Sequence, residues 1–228
     1  MAQTLRATVA GSIKLDIDSH VYNSIVYVGP EGSVLGHYAK TYLTEGEHRL
    51  GLRAGQGPVV IQTPAGRLGG AICFDLNFQD LREGYIPLEP DILTFASMYH
   101  GGFMQNLWAY QTRSFFVSAL PFFGSAVRDP LGRALSATDC YSPIAIAKVN
   151  LDRMVIHLDN NREKFDDIRR KYLDEVEISV PPNLGPALLY SHSDKRTAAD
   201  IAKEFQLESL DDYMRRLHRV NDQARQST

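Results

Sequence analysis

Cysteine is scarce in this chain: 228 residues contain two, Cys73 and Cys140, and one tryptophan, Trp108. Two cysteines cannot build a disulfide framework, and they suit a reducing compartment, so a cytoplasmic protein is expected. No Cys/His cluster has metal-ligand spacing, and no His-Glu-x-x-His or phosphate-loop pattern occurs, so no metal or other cofactor is expected. Charge of one sign is also lacking. The formal net charge of −3 gives no electrostatic reason to expect nucleic acid or an anionic membrane as partner. No apolar run approaches the roughly 18 residues that would span a bilayer, and Met-Ala-Gln-Thr-Leu-Arg lacks the apolar core of a signal peptide.

What is present is an ordinary globular composition, 44% hydrophobic and 22% charged, in a chain long enough for a large core. β-rich runs at 7–13, 23–28, 33–38 and 59–63 are separated by turn clusters such as Gly29-Pro30-Glu31-Gly32. The spacing then predicts a strand over 67–73, a helix from Phe78 to Tyr85, a strand at 91–96 and a helix over 103–116. Further strands are expected at 117–119, 125–127 and 144–149. Hairpins mixed with crossovers predict an α/β sandwich with mixed sheets. From about Asn160 the periodicity becomes helical, with Phe165, Ile168 and Tyr172, then Leu210, Tyr213, Met214, Leu217 and Val220. Residues 158–228 therefore read as a helical extension of a 1–157 domain, packed on that domain or on a partner subunit.

Cys73 closes the strand Gly69-Gly70-Ala71-Ile72 and enters a turn before a helix. Such a place can present sulfur to a pocket, with free backbone N–H groups nearby. By position alone it is more simply a place for a small buried hydrophobe. Lys40, in Tyr38-Ala39-Lys40-Thr41-Tyr42-Leu43, is by itself most simply a surface charge, and Cys140 reads as structural.

Taken in order, several segments are similar to the nitrilase superfamily of carbon–nitrogen hydrolases: Val9-Ala10-Gly11-Ser12, Tyr22-Asn23-Ser24, Gly32 to Gly36, Tyr38 to Leu43, Glu47 and Thr63 to Arg67. The block Gly70-Ala71-Ile72-Cys73-Phe74-Asp75 follows, then Asp91-Ile92-Leu93, Trp108 and Asp129-Pro130-Leu131-Gly132-Arg133. The resemblance covers roughly residues 7–155. It implies a four-layer α-β-β-α sandwich, with Cys73 as nucleophile, Lys40 as oxyanion stabiliser and the backbone N–H of Phe74 as second donor. Glu47 would orient groups in the pocket. Met98, Tyr99, His100 and Trp108, which follow the 91–96 strand or lie on the next helix, are the expected pocket lining. The implied substrate is a small amide or carbamoyl compound, and Phe74-Asp75 resembles amide-cleaving branches rather than the Trp-Glu of nitrile-cleaving ones. A homodimer or higher homo-oligomer is implied as well.

Two departures stand against this. The family's general base is a glutamate upstream of the lysine, whereas the acidic residues before Lys40 are Asp16, Asp18 and Glu31, in a polar turn and a hairpin tip. The domain is therefore expected to be incomplete at its N-terminus, with Met1 an internal methionine, a truncated reading frame or a real deletion. The stretch Gln111 to Phe116 also lacks the acidic residue many relatives carry there. A catalytically inactive binding or assembly protein is the competing reading. A serine hydrolase has no Gly-x-Ser-x-Gly elbow to support it, despite Gly124-Ser125 and His100.

Overall fold

The computed structural model describes residues 1–226, which form two compact units divided between Ala147 and Lys148. The first unit begins with a short helix α1 (Ala2–Leu5) and an antiparallel sheet of β1 (Val9–Ile17), β2 (His20–Val28) and β3 (Val34–Ala39), in the order β1-β2-β3. Asp18 and Ser19 form the β1–β2 turn with φ of 50° and 63°. That is the left-handed pair a two-residue hairpin requires. Asp16, expected in this turn, lies instead within β1 opposite Val21. Helix α2 (Glu45–Arg49) follows, then β4 (Val60–Thr63), β5 (Gly66–Ile72), α3 (Gln79–Tyr85), β6 (Ile92–Ala96), α4 (Phe103–Thr112), β7 (Phe115–Ala119), β8 (Ala126–Arg128) and β9 (Ala134–Ala137). These six strands make one sheet in chain order, with β5, β6 and β7 parallel and the rest antiparallel.

Period-two alternation gives this sheet two apolar faces. Ala71, Leu93, Phe95 and Phe116 pack against Leu81, Tyr85, Trp108 and Ala109 of α3 and α4. Leu68, Ile72, Ile92 and Ala96 point the other way and meet Ile25, Tyr27 and Tyr38 of the three-stranded sheet. Helices, large sheet and small sheet thus form the α-β-β layers of the nitrilase-type sandwich. Gly70 permits the close approach of the sheets, because a Cβ there would lie 2.8 Å from Cβ of Tyr38.

The second unit is built from β10 (Arg153–His157), α5 (Phe165–Tyr172), β11 (Val176–Ser179), β12 (Pro186–Ser191), α6 (Ala198–Glu204) and α7 (Leu210–Gln226). Its sheet is antiparallel, in the order β10-β12-β11. Ile156, Ala187 and Leu189 of the sheet pack with Phe165, Ile168, Ala198 and Ile201 of the helices. The expectation of a purely helical segment over 158–228 is corrected by β11 and β12. Pro-Ala-Leu-Leu-Tyr-Ser is a short apolar run whose periodicity is mute, and only pairing on both sides makes it a central strand. The division also falls earlier than 157/158, so β10 belongs to the second unit; residues 227–228 of the expected segment lie outside the described residues. The strand expected at 144–149 is absent, since residues 142–150 have no regular structure and Ile144 and Ile146 are exposed. The helix expected over 103–116 stops at Thr112, where Arg113 turns left-handed with φ 55° and Phe115 enters the sheet. No helix of the described residues is long and apolar enough to cross a membrane.

Candidate active site

Strand β5 ends at Ile72, and Cys73 takes a φ of 49° before a 3-10 turn over Cys73–Asn77. For a residue with a Cβ this conformation costs about 1–2 kcal/mol, so something must hold it. The holder is Asp75, a carboxylate with no exposed surface. Its Oδ2 accepts hydrogen bonds from the Ile72 N–H (2.9 Å) and the Tyr38 hydroxyl (2.7 Å), and its Oδ1 accepts from the Tyr42 N–H (2.8 Å). One side chain therefore binds the exit of β5, which carries Cys73, to residues on both sides of Lys40. Burial raises the pKa of Asp75, against the lowering effect of its three donors and of the Lys40 charge. Asp75 entered the sequence reading only as part of a motif. Its function was hidden because two of its three partners lie more than thirty residues away.

Lys40 follows β3, and its backbone N–H donates to Asn23 O at 2.8 Å. Its side chain is 2% exposed and its Nζ donates to Oε2 of Glu47 at 2.5 Å. The reading of Lys40 as a plain surface charge is excluded. Thr44 caps α2, and Glu47 returns the bond in a capping box. Oε2 of Glu47 also accepts from the Thr44 N–H (2.8 Å) and hydroxyl (3.0 Å), and Oε1 accepts from Asn23 Nδ2 (2.8 Å). Burial pushes the Glu47 carboxyl upward, but the bonds from Lys40, Thr44 and Asn23, with the lysine charge, bring it down to about 2. Glu47 is thus ionised at neutral pH and holds Lys40 in place; such a carboxylate is a poor proton acceptor there.

Cys73, Lys40 and Glu47 line one cavity of about 620 Å³ between the two sheets of the first unit. It opens beyond the carboxyl ends of the parallel strands β5, β6 and β7, where α/β sheets place their ligands. Its remaining wall comes from β1 (Ala10, Gly11, Ser12), β2 (Asn23, Ile25), Thr44, Ile72, the end of β6 and its loop (Thr94 to Met98), and β7 (Val117, Ala119). Glu47 is the single carboxylate in this lining among the described residues, and Asp16, Asp18 and Glu31 are not part of it.

Of the expected lining residues, Met98 is at the cavity. Tyr99 and His100 share its loop but are exposed and outside the lining; the His100 ring lies 5.9 Å from that of Phe123. Trp108 is corrected: it has no exposed surface, packs in the core between α4 and the large sheet, and donates its indole N–H to Leu76 O at 3.0 Å. Phe74 is 39% exposed and its ring meets Phe78 edge-on. Its N–H lies in the first turn after Cys73, where helical N–H groups have no partner within the helix. Cys140 is exposed, which corrects its reading as a structural residue.

The chain is 22% identical over 197 residues to the chloroplastic omega-amidase of Arabidopsis thaliana, covering 74% of this chain and 53% of that protein. It is 26% identical over 163 residues to the deaminated glutathione amidase of Bos taurus, covering 58% of this chain and 48% of the relative. The chain thus spans about half the length of these curated relatives. Among solved structures, the carbon–nitrogen hydrolase of Helicobacter pylori G27 superposes with a TM-score of 0.59 at 19% identity, over 75% of this chain and 67% of that one. An amidase from Nesterenkonia sp. AN1, described with acrylamide added to its active-site cysteine, gives 0.57 at 16% identity, over 75% and 72%. The carbon–nitrogen hydrolase family model matches residues 1–155, and the chain belongs to that family of the nitrilase superfamily.

Proposed function

We propose that the chain cleaves a non-peptide carbon–nitrogen bond, in an amide or carbamoyl compound, with Cys73 as nucleophile. The observation that carries this reading is the left-handed Cys73 at the end of β5, in one cavity with the buried Lys40–Glu47 pair. A strained, held residue at a cavity is where function is looked for. In this mechanism Sγ of Cys73 bonds to the carbonyl carbon. The oxyanion is met by Lys40 Nζ and the Phe74 N–H, fixed donors that need no reorganisation. The carbon–nitrogen bond then breaks, the amine leaves with a proton, and water cleaves the thioester to release the acid.

Both proton transfers call for a base near neutrality, and Glu47 at about 2 is suited to orienting Lys40 rather than to this task. That single observation supports a second reading, in which the chain binds amides without turning them over. The test is ammonia release from a panel of aliphatic amides, with Cys73→Ala as control and with added imidazole as an external base. Turnover that is lost in Cys73→Ala supports the hydrolase. Imidazole-stimulated turnover assigns the deficit to the base. Tight amide binding with no release under either condition supports the binding protein.

A further inference from the structure

We infer that the acyl half of the substrate is uncharged and largely apolar, an inference that rests on Cys73 being the nucleophile. Among the described residues the charged side chains lining the cavity are Lys40 and Glu47, and they are bonded to each other at 2.5 Å. The lysine that would meet the oxyanion is therefore already matched by one carboxylate, and the cavity offers a second carboxylate no cation of its own. Glu47, ionised across the ordinary pH range, repels one.

Away from this pair the apolar wall includes Ala10, Gly11, Ile25, Ala96, Val117 and Ala119. Its other polar side chains are neutral: Thr94, Asn23 and Ser97 have partners in the protein, and Ser12, opposite Ile25, adds an uncharged hydroxyl. The Thr94 hydroxyl donates to Gly69 O (3.0 Å) and pairs with the Tyr27 hydroxyl (2.8 Å). The Asn23 amide donates to Glu47, and Ser97 Oγ accepts from the Tyr99 N–H (2.7 Å). A carboxylate drawn into such a wall gives up its hydration with no charge to replace it. An alkyl or aryl acyl chain gains by the same burial. The volume of about 620 Å³ is within the range of small-molecule sites.

The test is acylation of the full chain by 4-nitrophenyl butyrate and by mono-4-nitrophenyl glutarate, in a Cys140→Ser background because Cys140 is exposed. In each case the Sγ–carbon bond forms, the carbon–oxygen bond to the aryl group breaks, nitrophenolate leaves with the electron pair, and the thiol proton passes to solvent. Intact mass and peptide mapping locate the acyl group, and each rate is divided by that ester's rate with free cysteine. The butyrate ester is expected to label Cys73 roughly tenfold faster or more after this correction, equivalent to one missing charge contact. Met98→Arg, which places a cation at the exposed rim of the cavity, is expected to narrow that ratio by speeding the glutarate ester. Equal or reversed rates in the parent overturn the inference, as does an unchanged ratio in folded Met98→Arg protein. Labelling of Cys73 by neither ester, in protein with a cooperative melt, overturns the nucleophile assignment itself and this inference with it.

Discussion

The two units of this chain keep their charges in different places. In the first, Lys40, Asp75, Arg82 and Asp129 are buried; in the second, the charged networks lie at the surface. There Glu204 accepts from the exposed Lys171 and Arg196 and from the hydroxyl of the buried Tyr172, and Glu208 is held by Arg216. The buried polar groups of the second unit are neutral: Asn161 bonds His157 O and both the N–H and O of Glu208. Burying a charge is expensive unless it is paired and hydrogen-bonded, so each buried charge calls for an explanation. Asp129 has a local one, since it closes the β8–β9 turn by accepting from the Leu131 and Arg133 N–H groups and from the Arg133 guanidinium. The Nε of Arg82 has no hydrogen-bond partner, whereas Lys40 and Asp75 reach beyond their own turns, to Glu47 and to Tyr38 and Tyr42. They converge on the Cys73 turn and its cavity, the place of the proposed reaction.

Substitutions can break that contrast. The largest expected effect is from Lys40→Met in a turnover-competent preparation, which should lower kcat/KM by on the order of a hundredfold or more. Retained activity would remove Lys40 from the oxyanion. Asp75→Asn comes next. It leaves one buried N–H or hydroxyl facing an amide N–H, a loss of about 1–3 kcal/mol, and it frees the left-handed turn at Cys73. Thermal melts should show the destabilisation. Acylation of Cys73 by 4-nitrophenyl butyrate should slow further than the folded fraction explains, and Asp75→Glu should restore part of it. A melt-only effect would make Asp75 another Asp129.

A smaller and sharper test is pH. The folded-state pKa of Glu47 is depressed to about 2 from the usual 4.5, so its ion pair is fully present above the usual value and is lost only as pH falls through about 2. The kcat/KM profile between about pH 5 and 8 should therefore carry no limb owed to Glu47. A near-neutral limb that disappears in Glu47→Gln would make it the base after all. The smallest effect is expected in the second unit. Glu204→Ala breaks two exposed ion pairs, which contribute little, and one bond from the Tyr172 hydroxyl, so the melting temperature should fall slightly and Cys73 acylation should scarcely change.

Much of the first unit is legible without coordinates, because its cues are local. The strand that ends at Cys73, the turn clusters around Gly29 and Pro64, and the order of motifs from Val9 to Arg133 are all read along the chain. Cys73, Lys40, Glu47 and Met98 do meet at one cavity. The misplacements share a cause. Trp108 is expected at the pocket because it follows the 91–96 strand in sequence, but α4 turns it inward on Leu76. The strand β12 is a central strand only because β10 and β11 flank it.

The sequence by itself determined the family, the strand–cysteine–turn at residue 73 and the residue types of the proposed reaction, since these follow from local spacing and from motifs in fixed order. Only the tertiary structure decided that Lys40 is buried on Glu47, that Asp75 ties the β3 and β5 exits together, and that small and apolar residues of β1, β2 and β7 wall the cavity. Those outcomes depend on which strands lie side by side and on which face each side chain falls. Contacts between residues tens of positions apart leave no spacing pattern in a single chain.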